Sequence, residues 1–276
     1  MSPAPGRNLR RQPPTTHDKK PTDIQMPSLG AWLQRVREDR HLTREEAAEL
    51  THISKDYIAK IDRGYIPGRD MIHRLIAGYG MNAMQARHTL ELWQPPATLP
   101  SVGELRDRVN TPSRIKTLDQ LDRTGVICVY TDPLWNVLSA NESFRRALPG
   151  VDQANNNVAQ WFFGTHKNAR PAMNVTLQWE QEAVFHVAML RGAFGLYRTN
   201  PRVKALFDHL KRDRDFRRIW SSSIRVDYAR HPNELAHLRD PDTGDPYSIS
   251  IDIAEVSDTR DIRVCYAYRQ NVTDPL

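Results

Sequence analysis

The sequence is short of cysteine, of long apolar runs and of catalytic signatures, and each shortage removes a class of function. Its 276 residues include two cysteines, Cys128 and Cys265, too few and too far apart for a disulfide framework or a zinc ribbon. Each sits in an apolar, strand-like run, VICVY or VCYAY, the setting of a buried, reduced thiol. No apolar stretch approaches the ~18 residues of a membrane span, and the polar, proline-rich start lacks the apolar block of a signal peptide. A cytoplasmic protein with no membrane partner is expected. The P-loop, the dinucleotide-binding glycine triplet, the H-E-x-x-H zinc motif and the nucleophile elbow are all missing. His231 and His237 stand near acids without ligand-like order, and no nucleophile has an evident partner. Neither a metal site, a catalytic residue nor an enzyme is expected.

What is present is the composition of a globular chain, 39% hydrophobic and 26% charged, long enough for two domains. The net charge of +6 permits a nucleic-acid partner, but it is unevenly placed. Residues 29–79 carry nine Lys or Arg against eight Asp or Glu, whereas residues 1–20 carry five against one. Residues 1–26 have almost no large apolar side chain and cannot offset chain entropy by burial, so a disordered basic arm is expected there. Its charges are Arg7, Arg10, Arg11, Lys19 and Lys20.

From Pro27 to Trp93 apolar residues fall at helical intervals, which predicts five short helices. The first covers 29–39, with Ser28 as N-cap. The second opens on the capping box Thr43-Arg-Glu-Glu46 and runs to Leu50. The third is capped by Ser54, buries Ile58 and Ile61 with Tyr57 at its edge, and stops at Gly64. The others cover 69–78 and 83–93. The break QPPATLP at 94–100 is the best domain boundary in the chain.

Beyond it, one or two helices are predicted over 102–122, strands at GVICVY and LWNVLSA, and a helix at NESFRRAL. A helical section follows from Trp161 to Trp220, with breaks expected at Gly164, Pro171, Gly192, Gly195 and Pro201. Three strand candidates end the chain: SIRVDYAR, YSISIDIAEV and DIRVCYAYR. Strands, helices and strands around one core make an α+β domain.

The segment LTREEAAELTHISKDYIAKIDRG resembles the Cro/lambda-repressor-like, or XRE, helix-turn-helix family. Thr43, Ala47, Leu50, Ile53, Ile58 and Ile61 fall where such a unit has its fixed positions. The chain departs from the family at Arg44 and Lys55, where glutamines are frequent, and at His52, where the turn usually has glycine. The resemblance implies that Asp62 pairs with Arg37, facing away from DNA. It also implies that Ser54, Lys55, Asp56, Ala59 and Lys60 meet bases while Arg44 and Arg63 touch phosphates. Asp56 is equally suited to stabilising the helix N-terminus.

The second half resembles the MmyB-like ligand-binding domain, a PAS-like fold found behind this type of helix-turn-helix in actinobacterial regulators. The matching features are Trp135 with Asn141, Asn157 before the aromatic run NVAQWFFG, and the segment Asp215-Phe-Arg-Arg-Ile-Trp220. The family's H-P-x-x-G-x-L appears loosely as DPDTGDPYSISI. The resemblance implies a small apolar ligand, with fatty acids as precedent, that changes DNA binding. Candidate lining residues are Trp135, Trp161, Phe162, Phe163, Phe185, Phe194, Phe207 and Trp220, with His186 or Arg191 near the mouth to meet a carboxylate. The same aromatics equally suit a packed core.

The expected architecture is therefore an all-α helix-turn-helix domain at 27–94, a linker at 95–104, and an α+β PAS-like domain at 105–276 that binds ligand and dimerises. The expected function is that of a homodimeric transcriptional regulator reading a pseudo-palindromic operator in double-stranded DNA and sensing a fatty acid or similar apolar ligand, with no other cofactor. The alternatives are a C-terminal domain without ligand that dimerises or recruits a protein partner, and an enzyme using the aromatic pocket.

Overall fold

The computed structural model describes residues 24–164, 170–256 and 259–270; the arm expected at 1–26 lies, up to residue 23, outside them. Five helices come first: α1 (Leu29–Asp39), α2 (Arg44–Thr51), α3 (Lys55–Asp62), α4 (Arg69–Gly78) and α5 (Ala83–Trp93). Their ends are set by local chemistry. Thr43 Oγ1 accepts the Glu46 amide at 3.2 Å and the Glu46 carboxylate accepts the Thr43 amide at 2.8 Å, closing the capping box. Ser54 Oγ accepts the Tyr57 amide at 3.3 Å and starts α3. His52 ends α2 at φ 53°, a left-handed conformation that glycine would adopt with less strain.

The core of this unit is Leu33, Val36, Ala47, Ile53, Ile58, Ile61, Ile72 and Leu75. Leu50 is not part of it and is 53% exposed. One helical turn after Ala47 the inward position falls to Thr51, whose hydroxyl bonds the Ala47 carbonyl at 2.6 Å. Gly30 lets α1 lie directly on α3, since a Cβ there would stand 2.4 Å from the Ile61 carbonyl oxygen.

The second unit begins with α6 (Val102–Val109) and α7 (Pro112–Arg123), then β1 (Ile127–Thr131), β2 (Val137–Ala140) and α8 (Glu142–Ala147). Next come α9 (Val158–Phe163), α10 (Pro171–Val175), α11 (Trp179–Leu196), α12 (Pro201–Leu210) and α13 (Arg214–Ser222). The chain closes with β3 (Leu235–Arg239), β4 (Pro246–Glu255) and β5 (Arg263–Gln270). The strands form one antiparallel sheet in the order β2-β1-β5-β4-β3, the α+β, PAS-like arrangement expected. The loosely matching segment at 240–251 forms the turn and second strand of the β3–β4 hairpin. Among the described residues no helix is long and apolar enough to cross a membrane.

Two expectations fail here for physical reasons. Gly192 and Gly195 do not break the helical section; α11 runs through both, and they are places of close approach. A Cβ on Gly195 would stand 2.4 Å from the His88 ring, and one on Gly192 3.0 Å from Tyr228. SIRVDYAR is extended but joins no strand. Its alternating Ile224 and Val226 are buried in the helix-turn-helix core instead, with Tyr228 packed against it. The pattern reported an extended chain between two surfaces, not a sheet strand. The strand that does form, LAHLR, lacks β-branched residues and was not anticipated.

Gly30→Ala should destabilise the protein by about 1–3 kcal/mol in urea unfolding, because the obstacle is backbone that cannot swing away. Stability should also depend on pH through two fully enclosed histidines, His88 and His186. Burial, followed by nearby arginine charge, lowers each to about 3. The unfolded chain takes up a proton near pH 6.5 while the folded chain does not, so stability is complete above that pH and declines as pH falls toward 3. Between pH 7 and 5 the two together should remove about 4 kcal/mol, and replacing either with Gln should flatten that slope by half.

Candidate functional site

Two surfaces have the geometry of sites. The first is the outer face of α3, where Ser54, Lys55, Asp56 and Lys60 are exposed, Ala59 is half-buried and Arg63 is exposed at the helix end. The opposite side of α3 is fixed by Ile58, Ile61 and Asp62. Asp62 Oδ2 takes Arg37 at 3.2 Å and Arg44 at 2.9 Å, so its charge is turned inward and compensated. Lys55 forms an ion pair with Glu45 of α2, which holds its ammonium beside the turn. Asp56 lies in the first turn of α3, at its positive end. The result is a short helix projecting polar side chains from a rigid base, the shape that enters a DNA major groove.

The second is a cavity of about 120 Å³ between the sheet and the helices. Strand register builds one wall. Ile127 pairs with Ala267, Val129 with Cys265, Ile251 with Ala267 and Ile253 with Cys265, so these side chains share one face. Phe144 of α8, Val158, Trp161 and Phe162 of α9 and Phe185 of α11 close the other side. At one corner the wall becomes polar, with Glu182, His186 and Arg230. Arg230 spans both carboxylate oxygens of Glu182, one at 3.0 Å, and its guanidinium lies 4.2 Å from the Phe185 ring centre. Arg230 Nε and His186 Nδ1 have no hydrogen-bond partner, an unmet donor capacity in an otherwise apolar space. The thiol of Cys265 is pushed up to about 12 by burial, so this wall carries no thiolate.

Trp135 reaches the cavity from a strained turn. Its φ is 65°, in the left-handed region that a bulky residue rarely adopts. Asp132, fully buried, holds the turn: it accepts the Leu134 and Asn136 amides at 2.9 and 3.0 Å and the Arg202 guanidinium at 2.9 Å. Asn157 braces it from the other side, donating to the Leu134 carbonyl at 2.8 Å. Asn141 caps α8 through the Phe144 amide and accepts the Cys128 amide, each at 3.1 Å. The residues carrying the resemblance thus position the cavity's edge.

Of the ten candidate lining residues, Trp135, Trp161, Phe162, Phe185 and His186 line the cavity. Phe163, Phe194 and Phe207 instead pack edge-on or tilted against Phe216 and Trp220 in the core behind it. Arg191 and Trp220 border a hollow between the two units. Glu182 and Arg230 were missed: 48 residues apart, they carry no local signal. The isoleucines of YSISIDIAEV were legible as one face of a strand but not as a cavity wall.

The cavity and the DNA-binding unit are joined by shared elements. Helix α11 carries Phe185 and His186 into the cavity and, two turns on, packs against α5 at Gly195. Arg198 then donates to the carbonyls of Glu91, Leu92 and Gln94 at the end of α5. The 223–230 segment begins in the helix-turn-helix core at Ile224 and ends at Arg230 on the cavity. Between them Tyr228 bonds Glu91 of α5 at 2.5 Å.

Comparison with known proteins gives a family match for each unit. Residues 28–88 match the helix-turn-helix domain model, and residues 112–273 match the model of the MmyB-like transcription regulator ligand binding domain. No curated protein matches the chain. The second match spans more than half of the sequence: the chain belongs to the MmyB-like family, and it is a helix-turn-helix transcription regulator with a ligand-binding domain.

Proposed function

We propose that the ligand is a compact apolar acid, a fatty acid or an aromatic carboxylate, held in the cavity with its charged end at Arg230 and His186. The observation that carries this reading is the polar corner: two unpartnered nitrogens at the end of an apolar chamber. The space is close to that of an engineered cavity of about 150 Å³ that admits benzene, so a short chain fits as it stands and a longer one must displace the walls. A carboxylate arriving at Arg230 competes with Glu182 for it. Arg230 is the end of the segment whose other end sits in the helix-turn-helix core, so that competition is felt at α3's supporting helices.

On the DNA side, Lys55, Lys60 and Asp56 read base edges, with Ser54 and Ala59 in close approach and Arg44 and Arg63 on phosphates. The helix-turn-helix unit has little net charge of its own, which supports a homodimer on a pseudo-palindromic operator, with half-sites about one helical turn apart. The protein acts in the cytoplasm as a regulator, without catalysis or a metal.

Calorimetry with octanoate, dodecanoate and benzoate, each beside its neutral alcohol, tests the ligand. The paired substitution Glu182→Gln with Arg230→Gln should weaken acid binding by about 10–100-fold and leave the alcohols unchanged, since only the charge-assisted bonds are lost. Equal loss for acid and alcohol would refute the polar anchor; no binding of either would leave the domain as a dimerising or partner-recruiting module. Selection from random duplex DNA should return a pseudo-palindrome. On that sequence Lys60→Ala should cost about 1–3 kcal/mol in a binding titration and relax the preference at one position per half-site.

A further inference from the structure

The hollow that receives Arg191 and Trp220 lies between the two units, open to solvent, with a volume of about 400 Å³. It is bordered by Ser28, Trp32 and Arg35 around α1, by His88 of α5, and by Arg191 and Trp220 of the ligand-binding domain. Its charges do not balance. Arg35 and Arg191 both donate to the Trp220 carbonyl; Arg35 also reaches Ser223 O at 2.7 Å and Arg191 the Arg225 carbonyl. Among the described residues, all of their hydrogen bonds end on main-chain carbonyls. Asp39 and Asp227 act on them only at longer range, and Glu38, on the rim, accepts a bond from Gln34 at 2.7 Å.

Two guanidiniums side by side, one of them 2% exposed, are costly when they face carbonyl dipoles and, for Arg191, the Trp220 ring 4.8 Å away, but, among the described residues, no carboxylate bonded to either. Burial first, and then the like charge of Arg35, push Arg191 well below its ordinary range. Arg191 Nε has no partner. His88, fully buried on the same hollow, has neither ring nitrogen hydrogen-bonded, so one N–H donor is unused there as well. The start of α1 is a third electropositive element. This eleven-residue helix has no side-chain cap bond and no acid in its first turn.

We propose that this hollow is a second binding site, for a small oxyanion: a carboxylate or phosphate group held between Arg35 and Arg191, with the His88 N–H as a further donor. The arginines come from different domains, so an anion here fixes the DNA-binding unit against the ligand-binding domain. It is a regulatory input separate from the apolar cavity.

The test uses the full chain, titrated with inorganic phosphate and separately with acetate at ionic strength held constant with chloride. Thermal melting, tryptophan fluorescence and calorimetry are the readouts. A saturable response with one anion per chain is expected, with the tighter of the two identifying the group. Arg191→Gln risks the fold, so the diagnostic variant is the half-buried Arg35→Gln, which should weaken binding at least tenfold. Arg123→Gln, the same charge change on an exposed position of α7, should leave it unchanged. A response linear in anion concentration, or one equally affected in both variants, overturns the proposal. Octanoate binding, measured alongside, reports on the cavity independently, so failure of one site does not decide the other.

Discussion

The structure depends on the burial of α11 from every side. Fourteen of its eighteen residues are buried, among them Glu182, His186 and Arg191, which no isolated helix would hide. A helix enclosed in this way cannot shift without disturbing each surface it touches. One end lines the cavity, the middle lies beneath the 223–230 segment, and the last turn abuts α5. The cost of burying its polar groups is offset by specific partners for Glu182 and only partly so for His186 and Arg191. His186 and Arg191 fall at the two hollows described above, one apolar and one polar.

The two units share more than a linker. Ile224 and Val226 belong to the ligand-binding domain by sequence and to the helix-turn-helix core by packing. The carbonyls at the end of α5, which a free helix would leave to water, are taken by Arg198. The DNA-binding unit is thus completed by groups from the other domain. The segment that ends on the cavity at Arg230 is, at Ile224 and Val226, a piece of that unit's own core.

The first five helices were legible because their signals are local. Thr43 with Glu46, Ser54 before its amides, and the spacing of Ile58 and Ile61 each act within one or two turns. Pairing of Asp62 with Arg37 was legible through family resemblance. The cavity was legible only in part, because aromatic residues such as Phe162 and Phe207 look alike in sequence and differ only in whether a void adjoins them. Arg230 and Glu182 meet across 48 residues through tertiary packing alone. The alternation in SIRVDYAR was read correctly as extended chain and wrongly as sheet, since a period of two reports which side chains are covered and not what covers them. Gly192 and Gly195 were read as breaks because helix propensity is a local quantity, whereas what they provide is space for His88 and Tyr228.

Asp62 has two arginine partners where one would neutralise it. Arg37 is sealed with it, while Arg44 is 42% exposed at the rim of the DNA-reading face. Arg44 can therefore leave for a backbone phosphate without stranding a buried carboxylate, because Arg37 stays behind. A phosphate contact at this position, as proposed above, would exchange one anion for another and leave Arg44 with as many ionic partners as before. In the free protein that charge is held on an acid that Arg37 already neutralises, so releasing it would cost the fold little.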